Sequence, residues 1–136
     1  AQLSEDTLVP VIRSPLGMGL LAGRIGKATR FPGDDVRAKD DHWLNLFQNG
    51  RPNPDFIDKI DEVRGLLTQD GRSLAQGALG WLWALDARAI PVPGMRTPEQ
   101  VADLVGALEY GPLPSTTFDE IEVLMARSES APSLAS

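Results

Sequence analysis

The sequence predicts a parallel α/β fold, rich in helix and short of strands. Three observations carry that expectation. Two short apolar, β-branched runs, Leu8-Val9-Pro10-Val11-Ile12-Arg13 and Ala89-Ile90-Pro91-Val92-Pro93, close on turn residues, as strands buried in a parallel sheet do. Capped segments of helical periodicity lie between and after them. The order is strand, glycine-rich loop, helices, strand, short turn, helix, helix, the alternation typical of parallel α/β chains.

The first strand ends at Ser14-Pro15, and Leu16-Gly17-Met18-Gly19-Leu20-Leu21-Ala22-Gly23-Arg24 follows with three glycines in seven positions. Such a loop lets the backbone approach a ligand closely, and the residues alone fit a flexible loop with structural glycines equally well. Residues 25–53 are polar and punctuated, and Asp34 to Phe47 has room for one short helix. Asn53 caps the next helix with Pro54 in its first turn; Phe56, Ile60, Val63 and Leu67 line one face, and Gly71 stops it. Ser73 and Gln76 form a capping box, opening a helix to about Ala87 that is apolar nearly all round and therefore buried on most sides. The second strand carries two prolines, which restricts its pairing.

After the turn Gly94-Met95-Arg96, Thr97 caps a helix with Pro98 at its first position and Gln100 as box partner. Val101, Leu104, Val105 and Leu108 recur on one face, and Gly111-Pro112 ends it. Thr117, with Glu120 in the box position, is expected to cap a last helix that buries Phe118, Ile121, Leu124 and Met125. Residues 1–126 thus read as the folded part and 127–136 as a disordered tail.

Two parallel strands leave two open sheet edges and helices with little to cover, so the chain reads as incomplete for a free-standing domain. Its 136 residues hold 42% hydrophobic and 24% charged side chains, which excludes collagen-like, coiled-coil and wholly disordered classes. Thirteen Lys and Arg against nineteen Asp and Glu give a net charge of −6, so no nucleic-acid or membrane partner is expected. No run approaches the ~20 apolar residues of a membrane span. Ala1-Gln2-Leu3-Ser4-Glu5-Asp6 has neither the basic start nor the apolar core of a signal peptide, and the expected location is cytoplasmic. Without cysteine there is neither disulfide nor thiolate metal site, and a lone histidine, His42, has no second imidazole to share a metal. Asp34-Asp35 and Asp40-Asp41 read as solvated charge, and Trp81 and Trp83 as packing residues.

Two motifs carry a family resemblance. Ser14-Pro15-Leu16-Gly17-Met18-Gly19-Leu20-Leu21-Ala22-Gly23-Arg24 resembles the aldo-keto reductase segment at the end of the seventh barrel strand. Ile90-Pro91-Val92-Pro93-Gly94-Met95-Arg96-Thr97-Pro98-Glu99-Gln100-Val101 resembles that family's eighth strand and following helix. Between them, Phe31 to Phe47 is similar to the family's D-D-x-R…W…F loop, and Ala75 to Ala84 to its A-L-A-W-L-L-A helix. The resemblance runs in family order from Leu8 to Met125. It implies a partial (β/α)8 barrel, the last two strand-helix units plus the C-terminal helix.

The resemblance implies NADP as cofactor. Ser14, Leu16, Gly19 and Leu21 would line the pyrophosphate, and Gly94, Arg96, Gln100 and Asp103 would bind the adenosine end with its 2′-phosphate. A helix N-terminus presents N–H groups and partial positive charge, and Arg96 adds a fork of donors, so the chemistry suits a phosphate. Capping grammar alone favours a purely structural turn; the resemblance favours the phosphate site. The family motif continues to Glu-Asn where this chain has Asp103-Leu104, and Met95 stands in place of a Thr or Ser.

The family reduces carbonyls with a Tyr general acid, a Lys paired with an Asp, and a His that orients the substrate. This chain has one tyrosine, Tyr110, at the far end of the helix after the second strand. No catalytic residue is therefore assigned. The expected function is the cofactor-binding C-terminal part of an NADP(H)-dependent aldo-keto reductase, inactive without the N-terminal part that bears the Asp, Tyr, Lys and His. Its partners would be that N-terminal part, as a separate chain or a missing segment, and a small carbonyl substrate in the complete enzyme. Two alternatives stay open: a non-catalytic fragment acting as a helical interaction module, and an independent phosphate-binding domain with a similar turn.

Overall fold

A computed structural model describes residues 8–39 and 45–130. Both expected strands form. β1 (Val11–Arg13) and β4 (Ile90–Val92) pair in parallel, with Val11 opposite Ile90 and Arg13 opposite Val92. Among the described residues each has only this one neighbour, so both outer edges are open.

The polar segment differs from expectation. Its described part holds a single 3-10 turn at Val36–Ala38, and Phe47–Gln48 (β2) pairs antiparallel with Arg51–Pro52 (β3) as a minimal hairpin. The reason is local. Asn49 and Gly50 take φ of 50° and 70°, the left-handed turn that matches strand twist and that Asn-Gly favours. Phe47 is thereby pulled into a small core with Leu20 and Ile57. Asp40, Asp41, His42 and Trp43 lie outside the described residues.

Four helices follow their caps: α1 (Pro54–Leu67), α2 (Leu74–Leu85), α3 (Pro98–Tyr110) and α4 (Ser115–Ser130). Asn53 Oδ1 accepts from Asp55 N at 3.1 Å, and the box at Ser73 and Gln76 is complete in both directions, at 2.9 and 3.1 Å. α1 ends at Leu67, and Gly71 closes a further 3-10 turn at Gln69–Gly71. The last helix departs from the expected cap: it starts at Ser115, where Pro114 O accepts Phe118 N at 2.9 Å. Thr117 lies inside it, buried, with its hydroxyl donating to Gln69 Oε1 at 3.0 Å. The helix also runs past Arg127 to Ser130, beyond the expected start of the tail; residues 131–136 lie outside the described part.

α2 is the centre of the fold. Leu74 packs with Val63, Leu67, Leu113 and Ile121, while Ala75, Ala78 and Leu79 pack with Leu16, Leu104 and Ala107. At Gly77 a Cβ would lie 1.9 Å from the backbone oxygen of Leu67, so only glycine admits the α1–α2 crossing. Trp81 stacks on Phe118 with centroids 5.8 Å apart, and Trp83 Nε1 donates to Ala89 O at 3.1 Å, both serving packing. Arg72, 7% exposed, fastens the start of α2 to the end of α3: Nη1 donates to Gly111 O at 2.8 Å and Nη2 to Tyr110 O and Pro112 O at 3.3 Å. A guanidinium on the last carbonyls of a helix also meets the negative end of its dipole.

The expected buried face of α3 is only part buried. Leu104 and Ala107 lie in the core, but Val101, Val105 and Leu108 are 41%, 57% and 69% exposed. α2 covers one side of α3, and no described residue covers the other.

Candidate functional site

The parallel pairing of β1 and β4 brings their C-terminal ends side by side, and a cleft of about 490 Å³ opens there. One wall is the glycine-rich loop, the second the turn from β4 into α3, and the third the Asp35–Arg37 turn. Sequence positions 14–19 and 94–100 thus meet only because the two strands are neighbours.

The glycine-rich loop is held in conformations that side chains resist. Ser14 and Met18 have φ of 51° and 56°, and Gly19 has φ of 101°, where a Cβ would also stand only 3.2 Å from Ile25 Cδ1. Left-handed non-glycine residues cost on the order of 1–3 kcal/mol each and cluster at sites where backbone placement matters. The loop is anchored beneath by Leu16 and Leu20, both buried, with Gly17 N donating to Ser14 O at 3.0 Å and Leu21 N to Leu16 O at 3.1 Å.

At the α3 turn the capping box closes as expected, with one consequence the sequence did not suggest. Gln100 N is taken by Thr97 Oγ1 at 3.2 Å, and Gln100 Oε1 accepts from Arg96 N at 2.7 Å and Thr97 N at 3.3 Å. Pro98 has no N–H, and the Glu99 carboxylate bonds its own backbone N–H. That bond holds the Glu99 pKa below its ordinary value, with the Thr97 hydroxyl and the charge of Arg24 adding. The first-turn donors are therefore already satisfied within the protein. What the turn offers an anion is the helix dipole and the exposed Arg96 guanidinium, on a backbone that Gln100 clasps at Arg96 N.

The third wall was not foreseen. Asp35 caps its turn by accepting from Arg37 N at 2.9 Å, and its carboxylate takes Arg37 Nε at 2.8 Å and Nη2 at 2.6 Å. The side-chain bond from Arg37 is the main reason Asp35 sits well below the usual carboxylate range; the Arg37 backbone N–H and the charges of Arg37 and Arg96 add to it. The Arg37 pKa is raised by the same pair. With Arg24 also on the lining, the cleft presents three guanidiniums and one carboxylate in a chain whose net charge is −6. The D-D-x-R pattern of the family resemblance falls on Asp34 to Arg37 and marked the loop, but it gave Asp35 and Arg37 no role in the site.

Six of the eight sequence-predicted residues line this cleft: Ser14, Leu16, Gly19, Gly94, Arg96 and Gln100. The other two lie elsewhere. Leu21 packs toward α2 in the interior. Asp103 ties α3 to α2, its Oδ2 accepting from Ser73 Oγ at 2.9 Å and its carbonyl from Gln76 Nε2 at 2.8 Å. Among the described residues no group of three or more His, Cys, Asp or Glu could hold a metal ion, and no helix is long and apolar enough to cross a membrane.

Comparison with known proteins gives a consistent picture. The Schizosaccharomyces pombe protein named aldo-keto reductase yakc, with NADP(+) in its name, is 28% identical over 117 residues. Those residues are 86% of this chain and 33% of the relative, so the chain spans about a third of the relative's length. No solved structure matches the chain significantly. The aldo/keto reductase family model matches residues 4–126, nine-tenths of the sequence, and the chain belongs to the aldo/keto reductase family.

Proposed function

We propose that this chain is the cofactor-binding C-terminal part of an NADP(H)-dependent aldo-keto reductase. One observation carries the reading: the cleft joins the glycine-rich loop to the Arg96 turn and gathers Arg24, Arg37 and Arg96 around them. Three guanidiniums in an acidic chain suit a ligand with several negative charges, and the strained loop lets main-chain groups come close to one. NADPH has that chemistry. Bound there, it would supply a hydride to the carbonyl carbon of an aldehyde or ketone. Arg96 would meet the 2′-phosphate, Gln100 would hold Arg96 in place, and the loop from Ser14 to Gly19 would lie along the pyrophosphate. Leu104 sits in the core, so the side chain at the position of the family's Asn packs rather than reaching the adenine.

The proton chemistry would come from residues outside this chain. Tyr110 is the one tyrosine, and its hydroxyl donates to Gly71 O at 3.2 Å. It stands at the end of α3 away from the cleft, about 20 Å along a helix of this length. The part that supplies Asp, Tyr, Lys and His would complete a (β/α)8 barrel on the open edges of β1 and β4. An apolar groove of about 420 Å³ beside β1, lined by Ile12, Leu21, Phe56, Ile60, Trp81 and Met125, supports docking of that part. The chain alone should then oxidise no NADPH with aldehydes, and addition of a six-strand N-terminal part should restore turnover. Turnover by the pure chain alone would overturn the assignment.

Arg96 gives the sharpest test of the cofactor. Hydrogen bonds to charged groups contribute about 1.5–3 kcal/mol, on the order of ten- to a hundredfold in affinity. In the completed barrel NADPH should bind more tightly than NADH, and Arg96→Ala should weaken NADPH at least about tenfold while leaving NADH nearly unchanged. Tryptophan quenching at fixed salt measures both. Equal weakening of the two cofactors would make Arg96 a support of the turn, and the NADP reading would fall.

A further inference from the structure

We propose, independently of the cofactor reading, that Asn49 is a site of spontaneous deamidation whose product unlocks the β2–β3 hairpin.

Chemistry singles out one of the three asparagines. In this reaction the backbone nitrogen of the next residue attacks the side-chain amide carbon. The N–H proton and the amide leave together as ammonia, and a five-membered succinimide forms. Water then opens the ring. Attack at the side-chain carbonyl gives aspartate; attack at the main-chain carbonyl gives isoaspartate, whose backbone runs through the side-chain carbons. Asn53 precedes Pro54, whose nitrogen has no proton to give up. Its amide is also engaged, Oδ1 accepting from Asp55 N at 3.1 Å and Nδ2 donating to Asn45 O at 3.0 Å. Asn45 precedes Leu46, whose side chain crowds the attacking nitrogen. Asn49 is exposed and precedes Gly50, where no side chain stands in the way.

The hairpin sets the pace. With φ of 50° and 70°, Asn49 and Gly50 form a two-residue left-handed turn. Ring closure must swing Gly50 N onto the Asn49 side chain, out of that turn. Gly50 is buried while the turn is closed, and its carbonyl accepts from Phe31 N at 2.8 Å. Opening therefore comes first, and little opposes it. β2 and β3 have two residues each, and Pro52 brings no N–H to the ladder. Phe47, 2% exposed, is the main fastening.

Isoaspartate prevents reclosure. It adds a carbon to the backbone of a turn whose length sets Phe47 opposite Pro52. The turn has no slack for it: even a Cβ at Gly50 would lie 3.1 Å from Phe31 O. Phe31 meets Phe47 edge-on with centroids 5.4 Å apart, and the Arg37 guanidinium lies over the Phe31 ring, 3.9 Å from its centroid. Loss of the Gly50–Phe31 contact thus unseats the ring on which the third wall of the cleft rests.

Incubation of the full chain in mildly alkaline buffer, with peptide mapping for both acid products, tests the site. Asn49 should convert while Asn45 and Asn53 keep their amides. Conversion should run at least about threefold faster in urea and in Phe47→Ala, because both open the hairpin. The aged wild type should be cleaved within the hairpin at least about fivefold faster than the fresh protein in limited proteolysis. Asn49→Gly keeps a left-handed turn but has no amide to lose, so the same incubation should leave its protection unchanged. Fresh Asn49→Asp should also stay protected, since it adds the charge without the extra backbone carbon. If Asn49 stays intact both in the wild type and in Phe47→Ala while a free peptide of the same local sequence converts fully, the site is overturned. Equal rates in the folded and urea-unfolded chain would show that the hairpin sets no pace. Equal loss of protection in aged wild type and aged Asn49→Gly would sever the modification from the opening.

Discussion

α2 and α3 carry apolar patterns of similar regularity and capping boxes of the same design, yet they end in opposite surroundings. α2 buries Leu74, Ala75, Ala78 and Leu79 among three other helices and the glycine-rich loop. α3 buries Leu104 and Ala107 against α2 and leaves Val101, Val105 and Leu108 exposed. The difference teaches that periodicity announces a helix and the face it prefers to hide, but not whether anything in the chain hides it. β1 and β4 repeat the lesson, since Val11, Ile90 and Val92 are each more than half exposed on a sheet with two open edges.

The largest expected effect breaks the α2 side of the comparison. Gly77→Ala would place a carbon 1.9 Å from Leu67 O, and backbone cannot yield as a side-chain tip can. Its cost should reach about 3 kcal/mol or more, read as a lower midpoint in urea or loss of folding. Gly106→Ala on α3 is the control. Its Cβ would meet the Gln76 amide at 2.8 Å, a side-chain end that can move aside by giving up its bond to Asp103 O, and gain in helix propensity offsets part of the loss, so the change should cost about 1–2 kcal/mol. Similar losses at the two glycines would mean that α1 and α2 do not cross as closely as described.

Arg72→Ala comes next. It removes three hydrogen bonds to the carbonyls that end α3 and leaves those groups unpaired, at about 2–4 kcal/mol. Arg72→Lys should recover only part of this, because an ammonium has no planar fork to span Gly111 and Pro112. Full recovery would show that charge at the helix end, rather than the fork, joins α2 to α3.

A smaller effect on stability, but a clear one on association, is expected at the uncovered face. Val105→Lys with Leu108→Lys should change the stability of the chain itself by no more than about 0.5 kcal/mol each, since both residues are exposed. The pair should lower binding of a hydrophobic dye and, on the proposed reading, block association with the N-terminal part. A wild-type chain that sediments as a monomer and binds no dye would show that it stands alone despite its bare apolar stripe.

The smallest effect concerns pH and the third wall of the cleft. Asp35 is held below the ordinary aspartate value of 3.8, chiefly by the Arg37 side chain, so its ion pair contributes fully above that value and is lost only as pH falls further. The contribution is therefore flat between pH 5 and 8. The Asp35 carboxylate should stay ionised at a pH where a free aspartate is half protonated, which side-chain carbonyl NMR can follow. Titration at the ordinary value would mean that Arg37 is not held as described.

By itself the sequence determined every element whose cause is local. Caps at Asn53, Ser73 and Thr97 and prolines at Pro54 and Pro98 start three of the four helices where expected, because each satisfies or removes first-turn N–H groups within a few residues. The Asn49-Gly50 hairpin was equally legible in those two residues and went unread. At Thr117 local grammar lost to tertiary structure, its hydroxyl being drawn to Gln69 across 48 positions. The two family motifs likewise marked Ser14, Leu16, Gly19, Gly94, Arg96 and Gln100. Only the tertiary structure decided that these six share a cleft, that Leu21 and Asp103 turn away to packing and to Ser73, and that Asp35 and Arg37 supply its third wall. The physical reason is that meeting across a cleft depends on the parallel register of β1 on β4 and on the path of a loop. Neither is written in residue types at a fixed spacing, whereas a cap or a turn spends its energy within four residues of where it stands.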